Sequence, residues 1–217
     1  MNPFRYTLVA DGASDRSLLP IINWVLASSR LAAEIAEQMA DFRHLTSPPN
    51  SLVARIRLAL MQYPCDLLFI HRDAEAERRE VRAEEIRAAR EAVAVPMYVP
   101  VVPVRMTEAW LLIDEDAIRR SADNPNGTNR LPLPAIGALE TVQDPKQVLH
   151  ECLLVACELG RRRREQFERR IRERVQRVAF LINDFSTLER LPAFRVFRDA
   201  THLAVETVLA AQGGQTP

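Results

Sequence analysis

An uninterrupted apolar run that ends in charged residues is the feature that most constrains the fold of this chain. The run is the Leu-Leu-Phe-Ile core of the segment Cys65-Asp-Leu-Leu-Phe-Ile-His71, and Arg72 and Asp73 follow this segment directly. A strand that is exposed on one face alternates apolar and polar residues, whereas a strand of a parallel sheet is covered on both faces and is apolar throughout. The run therefore predicts a central strand of a parallel α/β sheet, with charged side chains at its carboxyl end.

Strand and helix patterns alternate on both sides of this run. Further strands are predicted at Tyr6–Ala10, at Phe42–Leu45 and at Met97–Val104, the last at a sheet edge because it contains prolines. The helical spacing of apolar residues predicts helices at Arg16–Met39 (with a break at Ser28-Ser29), at 51–60 after an Asn50 or Ser51 cap, and at Glu75–Val93. The alternation predicts a mainly parallel α/β sheet flanked by helices over residues 1–122.

The last third of the chain is predicted to be helical. Residues 123–140 are rich in proline and glycine and read as a loop, preceded by a helix at Thr107–Ile113 with Thr107 as its cap. Asp144 followed by Pro145 is the favoured order of cap and proline at a helix start. We therefore expect residues 141–217 to form a helical subdomain that packs on the α/β core.

Composition narrows the class of protein. Lys and Arg number 29, as do Asp and Glu, so the net charge is zero and any affinity for nucleic acid must come from a local patch. The three cysteines have no disulfide-framework spacing, which predicts a reducing, cytoplasmic environment. The first ten residues predict a strand rather than a signal peptide, and no apolar run is long enough to span a membrane.

Acidic residues follow each of the best strands. The candidates are Asp11, Asp73, Glu75, Glu77 and Glu108. Because the carboxyl ends of parallel strands meet at one edge of the sheet, these carboxylates are predicted to lie close together, where they would repel one another. A hard cation such as Mg²⁺ relieves that repulsion and keeps water ligands for a phosphate substrate. The pattern predicts phosphodiester chemistry that depends on Mg²⁺ or Mn²⁺.

Of three further residues near these acids, Gly12 and His71 have two interpretations each and Asp15 has one. Gly12 either lets the backbone approach a phosphate or forms an ordinary turn between strand and helix. His71 shares a strand face with Asp73, so it either supports a metal site or is a hydrogen-bonded core histidine. Asp15 is a candidate cap for the helix that follows the first strand.

The segment from Arg161 to Arg177 contains nine arginines and three glutamates. One interpretation is a helix that follows a nucleic-acid backbone or an acidic partner, and the other is a solvated helix with Glu–Arg pairs. Three glutamates cannot neutralise nine arginines, which favours the first. The candidate binding residues are Arg161, Arg162, Arg163, Arg164, Arg169 and Arg170.

Several common sites are absent from the sequence. It has no P-loop, no dinucleotide-binding glycine pattern, no four-ligand zinc spacing and no Gly-x-Ser-x-Gly elbow. We therefore expect that this chain does not bind ATP itself, and the sequence predicts neither a zinc site nor a serine-hydrolase elbow.

Two motifs resemble those of Toprim domains. Val9-Ala-Asp-Gly-Ala-Ser-Asp15 resembles the first Toprim signature, and Leu67-Leu-Phe-Ile-His-Arg-Asp-Ala-Glu75 resembles the second, an acidic pair separated by one residue. Pro103–Asp114, which contains Glu108-Ala-Trp, and Asp144-Pro-Lys146 resemble a compact Toprim-like family of prokaryotic proteins. That family often lies beside genes for AAA or ABC-type ATPases, as in phage-defence systems of the overcoming-lysogenization-defect type.

The resemblance implies roles for particular residues. Asp11 would stand at the position of the Toprim glutamate, which acts as general acid or base and helps to hold metal. Asp73 and Glu75 would stand at the two positions of the metal-binding Asp-x-Asp pair, and Glu108 would be an additional acid of the family. Asp11 is one methylene shorter than the glutamate of the family pattern, and Glu75 is one methylene longer than the aspartate of that pattern. A displacement of about 1 Å can lower a rate by roughly 100-fold, so the exchange matters to the chemistry.

The sequence thus predicts a Toprim-like, metal-dependent nuclease acting on DNA or RNA, and an effector of anti-phage defence with an ATPase partner. One alternative is a catalytically degenerate Toprim module that binds and regulates the ATPase. Another is a phosphatase or phosphotransferase that acts on a small molecule and does not use the arginine-rich segment.

Overall fold

A computed structural model describes residues 3–74, 77–95 and 97–213. The chain forms two compact units. The first comprises Met1–Ala13, Ile22–Val102 and Val196–Pro217, and the second comprises Ser14–Ile21 and Pro103–Arg195. No helix within the described ranges is both long and apolar enough to cross a membrane.

The first unit is built on a four-stranded parallel sheet. Its strands are β1 (Phe4–Val9), β2 (Ile35–Met39), β3 (Leu67–His71) and β4 (Tyr98–Val101), in the order β2-β1-β3-β4. Every neighbouring pair is parallel. The prediction of a parallel α/β sheet flanked by helices is confirmed, with β3 in the interior and the proline-containing β4 at an edge.

Both faces of β3 are covered, which explains its continuous apolar sequence. Leu68 and Ile70 belong to one apolar core cluster, which also contains Ile56 and Ile86 from the helices on that side. On the opposite face the ring of Phe69 lies edge-on to other aromatic rings of the unit, with its nearest ring centroid 5.2 Å away. A strand that is buried on both faces is fixed in register, because a shift by one residue would exchange its two faces.

Helices flank the sheet of the first unit, and the first and the last of them also have residues in the second unit. Those with residues in the first unit are α1 (Leu18–Ala27), α2 (Leu52–Gln62), α3 (Arg79–Val93) and α8 (Pro192–Gly213). Ser51 caps α2 by accepting a hydrogen bond from the N–H of Ala54, so that prediction is confirmed. Tyr6 donates its hydroxyl hydrogen to Asn23 of α1 at 2.9 Å. The hydrogen bond between Tyr6 and Asn23 connects α1 with strand β1.

The second unit is helical. Its other helices are α4 (Glu115–Ser121), α5 (Pro145–Ala156), α6 (Arg161–Glu168) and α7 (Ile171–Leu181). Asp144 caps α5 by accepting from the N–H of Gln147, as the sequence predicts. Trp110 is fully buried and meets Phe194 edge-on, with 5.3 Å between ring centroids. The helical character predicted for the later part of the chain is therefore present in the structure.

The prediction for residues 16–45 was wrong in part. Ile35–Met39 is strand β2 rather than the end of a long helix, and Phe42–Leu45 is not a strand. The hydroxyls of Ser28 and Ser29 donate to carbonyls one turn earlier, at 2.8 and 2.6 Å, and α1 ends there. The apolar spacing continued past this break by chance, while pairing with β1 selects an extended chain.

Two helix starts also differ from the predictions. Helix α3 begins at Arg79 instead of near Glu75, and Glu75 itself lies outside the described residues. The segment Thr107–Leu111 is a 3-10 turn, and Thr107 does not cap it because the preceding residue, Met106, is at the cap position. Short turns of this kind need only a few local hydrogen bonds, so sequence spacing does not separate them from α-helix.

Candidate functional site at the carboxyl edge of the sheet

Asp11 and Asp73 follow neighbouring strands of the sheet. Asp11 comes two residues after the end of β1, and Asp73 comes two residues after the end of β3. The chain places β2 on one side of β1 and β3 on the other. In open parallel sheets this reversal leaves a crevice at the carboxyl ends, where ligands bind. The two aspartates predicted from the sequence therefore stand at the position in the first unit that is best suited to a ligand.

Two arginines contact the Asp11 carboxylate. Nη1 of Arg55 lies 2.8 Å from Oδ1, and Nε of Arg72 lies 3.0 Å from Oδ2. The first contact is a hydrogen bond, while the second is an ion pair without hydrogen-bond alignment. Each carboxylate oxygen retains a second lone pair, and the side chain is half exposed. Asp11 is therefore held in place but remains able to accept a proton or a ligand.

Arginine side chains continue along this edge. Nη1 of Arg72 is 3.6 Å from Oε2 of Glu85, and Oε1 of the same carboxylate accepts from Arg82 at 2.9 Å. Arg79 donates to the carbonyl of Val102 at 3.2 Å. The sequence analysis did not identify Arg55, Arg79 or Arg82, although one signal could have. In a parallel α/β unit, helices that follow strands begin at the carboxyl edge, so side chains near their first turns lie there.

His71 is held in one orientation. Its side chain is 1% exposed, and Nδ1 lies 2.9 Å from the carbonyl oxygen of Val101. Because a carbonyl only accepts, Nδ1 is the nitrogen that carries hydrogen and donates. Nε2 then points toward Asp73, 3.4 Å from Oδ1. His71 is thus a buried, hydrogen-bonded histidine that also contacts the candidate site, which combines the two interpretations from the sequence.

The donor atoms of Asp73 and His71 are compatible with a divalent cation. A carboxylate oxygen and a histidine Nε2 are both metal ligands, and a backbone carbonyl that orients the other ring nitrogen is the usual support. Within the ranges that the structure describes, no group of three His, Cys, Asp or Glu side chains is placed to hold a metal ion. The two donors would need water or further residues to complete a coordination shell, and the role of Glu75 stays a prediction.

The other residues singled out from the sequence have different environments. Gly12 is exposed directly after Asp11, and Glu77 is exposed in the segment before α3. Asp15 is buried in a 3-10 turn of the second unit and accepts a hydrogen bond from the Ser14 hydroxyl. Glu108 is partly buried in the 3-10 turn Thr107–Leu111 of that same unit. The structure therefore brings Asp11, Gly12, Asp73 and Glu77 into one unit and assigns Asp15 and Glu108 to the other.

The arginine-rich segment forms two helices, α6 and α7, in which some arginines are paired and others are not. Arg161 pairs with Glu165 at 3.4 Å, Arg170 pairs with Glu173 at 2.8 Å, and Arg174 and Arg177 both pair with Asp123. The remaining arginines of this segment have no carboxylate partner in the part of the chain that the structure describes: Arg162, Arg163, Arg164, Arg169 and Arg172. Both interpretations from the sequence therefore apply, since Glu–Arg pairs form and an excess of exposed positive charge remains.

The cysteine thiols are poor candidates for nucleophiles. Burial raises the pKa of the Cys152 thiol to about 12 and also raises the pKa of Cys65. The reactive form of a cysteine is the thiolate, so a raised pKa lowers its reactivity at neutral pH. The site at the sheet edge therefore depends on carboxylate, imidazole and guanidinium groups.

Comparison with protein-family models, with curated proteins and with solved structures found no match to this chain. The candidate site is accordingly interpreted from its own geometry and from the resemblance of its sequence motifs.

Proposed function

We propose that the chain is a metal-dependent nuclease that hydrolyses phosphodiester bonds in DNA or RNA. The observation that carries the proposal is the position of Asp11 and Asp73 at the carboxyl ends of β1 and β3, the crevice-forming point of the sheet. Arginine side chains lie at the same edge, which suits a phosphate-bearing substrate.

Residues of the first unit would divide the work as follows. Asp73 and His71, with Glu75 by resemblance, would hold Mg²⁺ or Mn²⁺, which when bound polarises the phosphoryl group. Asp11, fixed by two arginines, would accept the proton of the attacking water or return it to the leaving oxygen. Arg72 lies beside Asp11 and would contact a phosphate oxygen and keep the substrate in register. Glu108 is a further metal-supporting acid only by resemblance.

The unpaired arginines of α6 and α7 support nucleic acid as the substrate class. Lys and Arg contacts with backbone phosphates release counterions, so affinity falls with salt in proportion to the number of contacts. The variant Arg162→Gln/Arg164→Gln should reduce the slope of log affinity against log salt by about 2 for duplex DNA. The control Arg130→Gln/Arg190→Gln removes two exposed arginines of the same unit and should leave the slope unchanged. Equal slopes for both variants and wild type would remove this support.

A catalytically degenerate module is the second candidate, and the ion pairs of Asp11 favour it. A carboxylate that is paired with two arginines can have a purely structural role. A module that has lost catalysis but still docks on an ATPase would retain such a carboxylate. The ATPase partner and the role in phage defence are proposed from the resemblance of the motifs, and the cytoplasmic location is proposed from the three cysteines without disulfide-framework spacing.

Metal affinity separates the two candidates. We would titrate the protein with Mn²⁺ by calorimetry and screen cleavage of supercoiled plasmid, single-stranded DNA and tRNA with Mn²⁺, Mg²⁺ or a chelator. A nuclease should bind Mn²⁺ at this site and cut at least one substrate only when metal is present, alone or with the ATPase added. Weak Mn²⁺ binding and no cleavage under either condition would favour the degenerate module.

A further inference from the structure

The second unit contains a cavity of about 620 Å³, within the range of small-molecule sites. Residues of α6, of α7 and of the turn between them form one wall, and the segments that follow α4 and α5 form the rest. Its charged and amide side chains include Arg163, Gln166, Arg170, Arg174, Asp123 and Glu158. The cavity belongs to a different unit from Asp11 and Asp73, the residues proposed to carry out hydrolysis.

The two acids of the cavity are neutralised by their surroundings. Asp123 is contacted by Arg174 at 2.6 Å and by Arg177 at 2.5 Å. Oε1 of Glu158 accepts the backbone N–H groups of Thr128 and Asn129 at 2.6 and 2.7 Å. A carboxylate with partners of this kind attracts further cations weakly, because its charge is already compensated.

The pKa values of these acids agree with this description. Burial raises the pKa of Asp123, but hydrogen bonds from Arg177 and Arg174 outweigh burial and leave the pKa below its usual value. The backbone N–H groups of Asn129 and Thr128 lower the pKa of Glu158 although desolvation opposes them. Both acids are therefore ionised at neutral pH and fully engaged.

Positive charge remains at the cavity wall. Arg163 has no carboxylate within ion-pair distance in the described part of the chain, and Arg170 pairs only with Glu173, where both side chains are about two-thirds exposed. An exposed pair of this kind contributes little and exchanges easily with another anion. Gln166 adds a side-chain amide that can both donate and accept. The cavity thus offers one guanidinium group without a carboxylate partner, a second in an exposed ion pair that another anion can replace, and one side-chain amide.

The backbone around the cavity is strained at two positions. Asp123 has φ 57° and Glu158 has φ 48°, so both non-glycine residues are in the left-handed region. Such conformations are unfavourable for residues other than glycine and persist where surrounding contacts hold them, often at ligand sites. At this cavity the two residues with positive φ are the same two acids described above. The charge of Asp123 is compensated by arginines, and that of Glu158 by backbone N–H groups.

We propose that this cavity binds a phosphate-bearing nucleotide. Arg163 and Arg170 would contact the phosphate, since a guanidinium matches phosphate geometry with two parallel hydrogen bonds. Gln166 would hydrogen-bond the polar edge of the base. The same chemistry is presented by a free mononucleotide and by the phosphorylated end of a nucleic-acid strand, and the test distinguishes these two sources.

The test is calorimetric titration of the full chain with AMP, with adenosine, and with a 5′-phosphorylated oligonucleotide. We expect AMP to bind with a dissociation constant of about 1 mM or tighter. Adenosine, which lacks the phosphate, should bind at least about 10-fold more weakly. The source is the free nucleotide if AMP binds more tightly than the oligonucleotide, and the strand end if the order is reversed.

Matched variants connect the binding to the cavity. Arg163→Gln/Arg170→Gln should weaken AMP binding at least about 10-fold. Arg130→Gln/Arg190→Gln removes the same charge from exposed residues of this unit that do not line the cavity, and should change the affinity less than about 2-fold. Absence of binding by both AMP and the phosphorylated oligonucleotide, equal affinity for AMP and adenosine, or equal loss in both variants would overturn the proposal.

Discussion

Arg72, which follows β3, lies against Asp11, which follows β1, with 3.0 Å between Nε and Oδ2. The contact joins the ends of the two neighbouring strands that frame the candidate site. A phosphate that enters this edge would compete with Asp11 for the same guanidinium group. Under the proposed function, the Arg72 guanidinium would therefore exchange its contact with the Asp11 carboxylate for a contact with a substrate phosphate, while remaining at this edge of the sheet.

The pair of Asp11 and Arg55 should contribute little to stability. Their side chains are 50% and 26% exposed, so solvent screens the attraction. A double-mutant cycle with Asp11→Asn and Arg55→Gln, measured by urea unfolding, should give a coupling free energy below about 1 kcal/mol. The coupling should fall further in 1 M salt. A coupling of several kcal/mol would show that these residues are structural and would weaken the functional assignment of Asp11.

His71 should influence which metal the protein prefers. Imidazole ligands favour Mn²⁺ over Mg²⁺, which prefers oxygen ligands. We expect His71→Asn to lower Mn²⁺ affinity at least about 10-fold while Mg²⁺ affinity changes less. The exposed His44→Asn is the control, and both variants should first be checked for folding by circular dichroism. Equal losses of Mn²⁺ and Mg²⁺ affinity would mean that His71 is not a ligand.

Stability should fall in acid. The pKa values of Asp41, Glu158 and Asp184 are lowered, because an arginine or a backbone N–H group donates to each carboxylate. The folded chain therefore binds these protons less tightly than the unfolded chain does, and the resulting stability is present above the ordinary values of 3.8 and 4.5. It is lost as pH falls through the folded values.

Urea unfolding at pH 7, 5, 4 and 3 measures this dependence. The free energy of unfolding should decline mainly below about pH 4.5, and Asp184→Asn should make the decline shallower. Asp184 accepts from both the N–H and the hydroxyl of Ser186, so its replacement removes one contributing carboxylate. A chain that gained stability below pH 4.5 would contradict the lowered pKa values.

Gly127 should be intolerant of a side chain. A Cβ atom there would lie 2.5 Å from Nδ2 of Asn124 and 2.9 Å from Oε1 of Glu158, which also line the cavity of the second unit. Gly127→Ala should destabilise the protein by about 1–3 kcal/mol through overpacking. Gly137, whose Cβ would meet nothing within 4 Å, is the matched control. Thermal unfolding of the two alanine variants compares them, and equal midpoints would show that the approach to Gly127 is not tight.

Local sequence patterns were sufficient for part of the fold. Strand β3 was predictable because burial on both faces requires apolar residues throughout, and the starts of α2 and α5 were predictable because Ser51 and Asp144 cap them. Strand β2 was not, since Ile35–Met39 is half-buried at the end of the strand order and pairs with β1. Pairing between distant segments decided its conformation, and periodicity within the segment carries no information about that partner.

Part of the candidate site was also predictable from the sequence. Strand-end position was enough to find Asp11 and Asp73, because parallel strands end at one edge. Of the two arginines that engage Asp11, Arg55 was not found, since it lies 44 residues away on a different element. A cluster of bare carboxylates was expected, whereas at Asp11 the protein compensates charge with guanidinium groups. That difference follows from tertiary packing and is invisible in the spacing of acids alone.

The most direct test of the central claim is metal-dependent cleavage by wild type and by Asp73→Asn, under the condition in which wild type cuts. Asp199→Asn, an exposed aspartate of the same unit paired with Arg198, is the control. The account predicts that Asp73→Asn lowers the cleavage rate more than about 100-fold with an unchanged unfolding midpoint, while Asp199→Asn cuts like wild type. Cleavage by Asp73→Asn at the wild-type rate would contradict the assignment of this edge as the catalytic site.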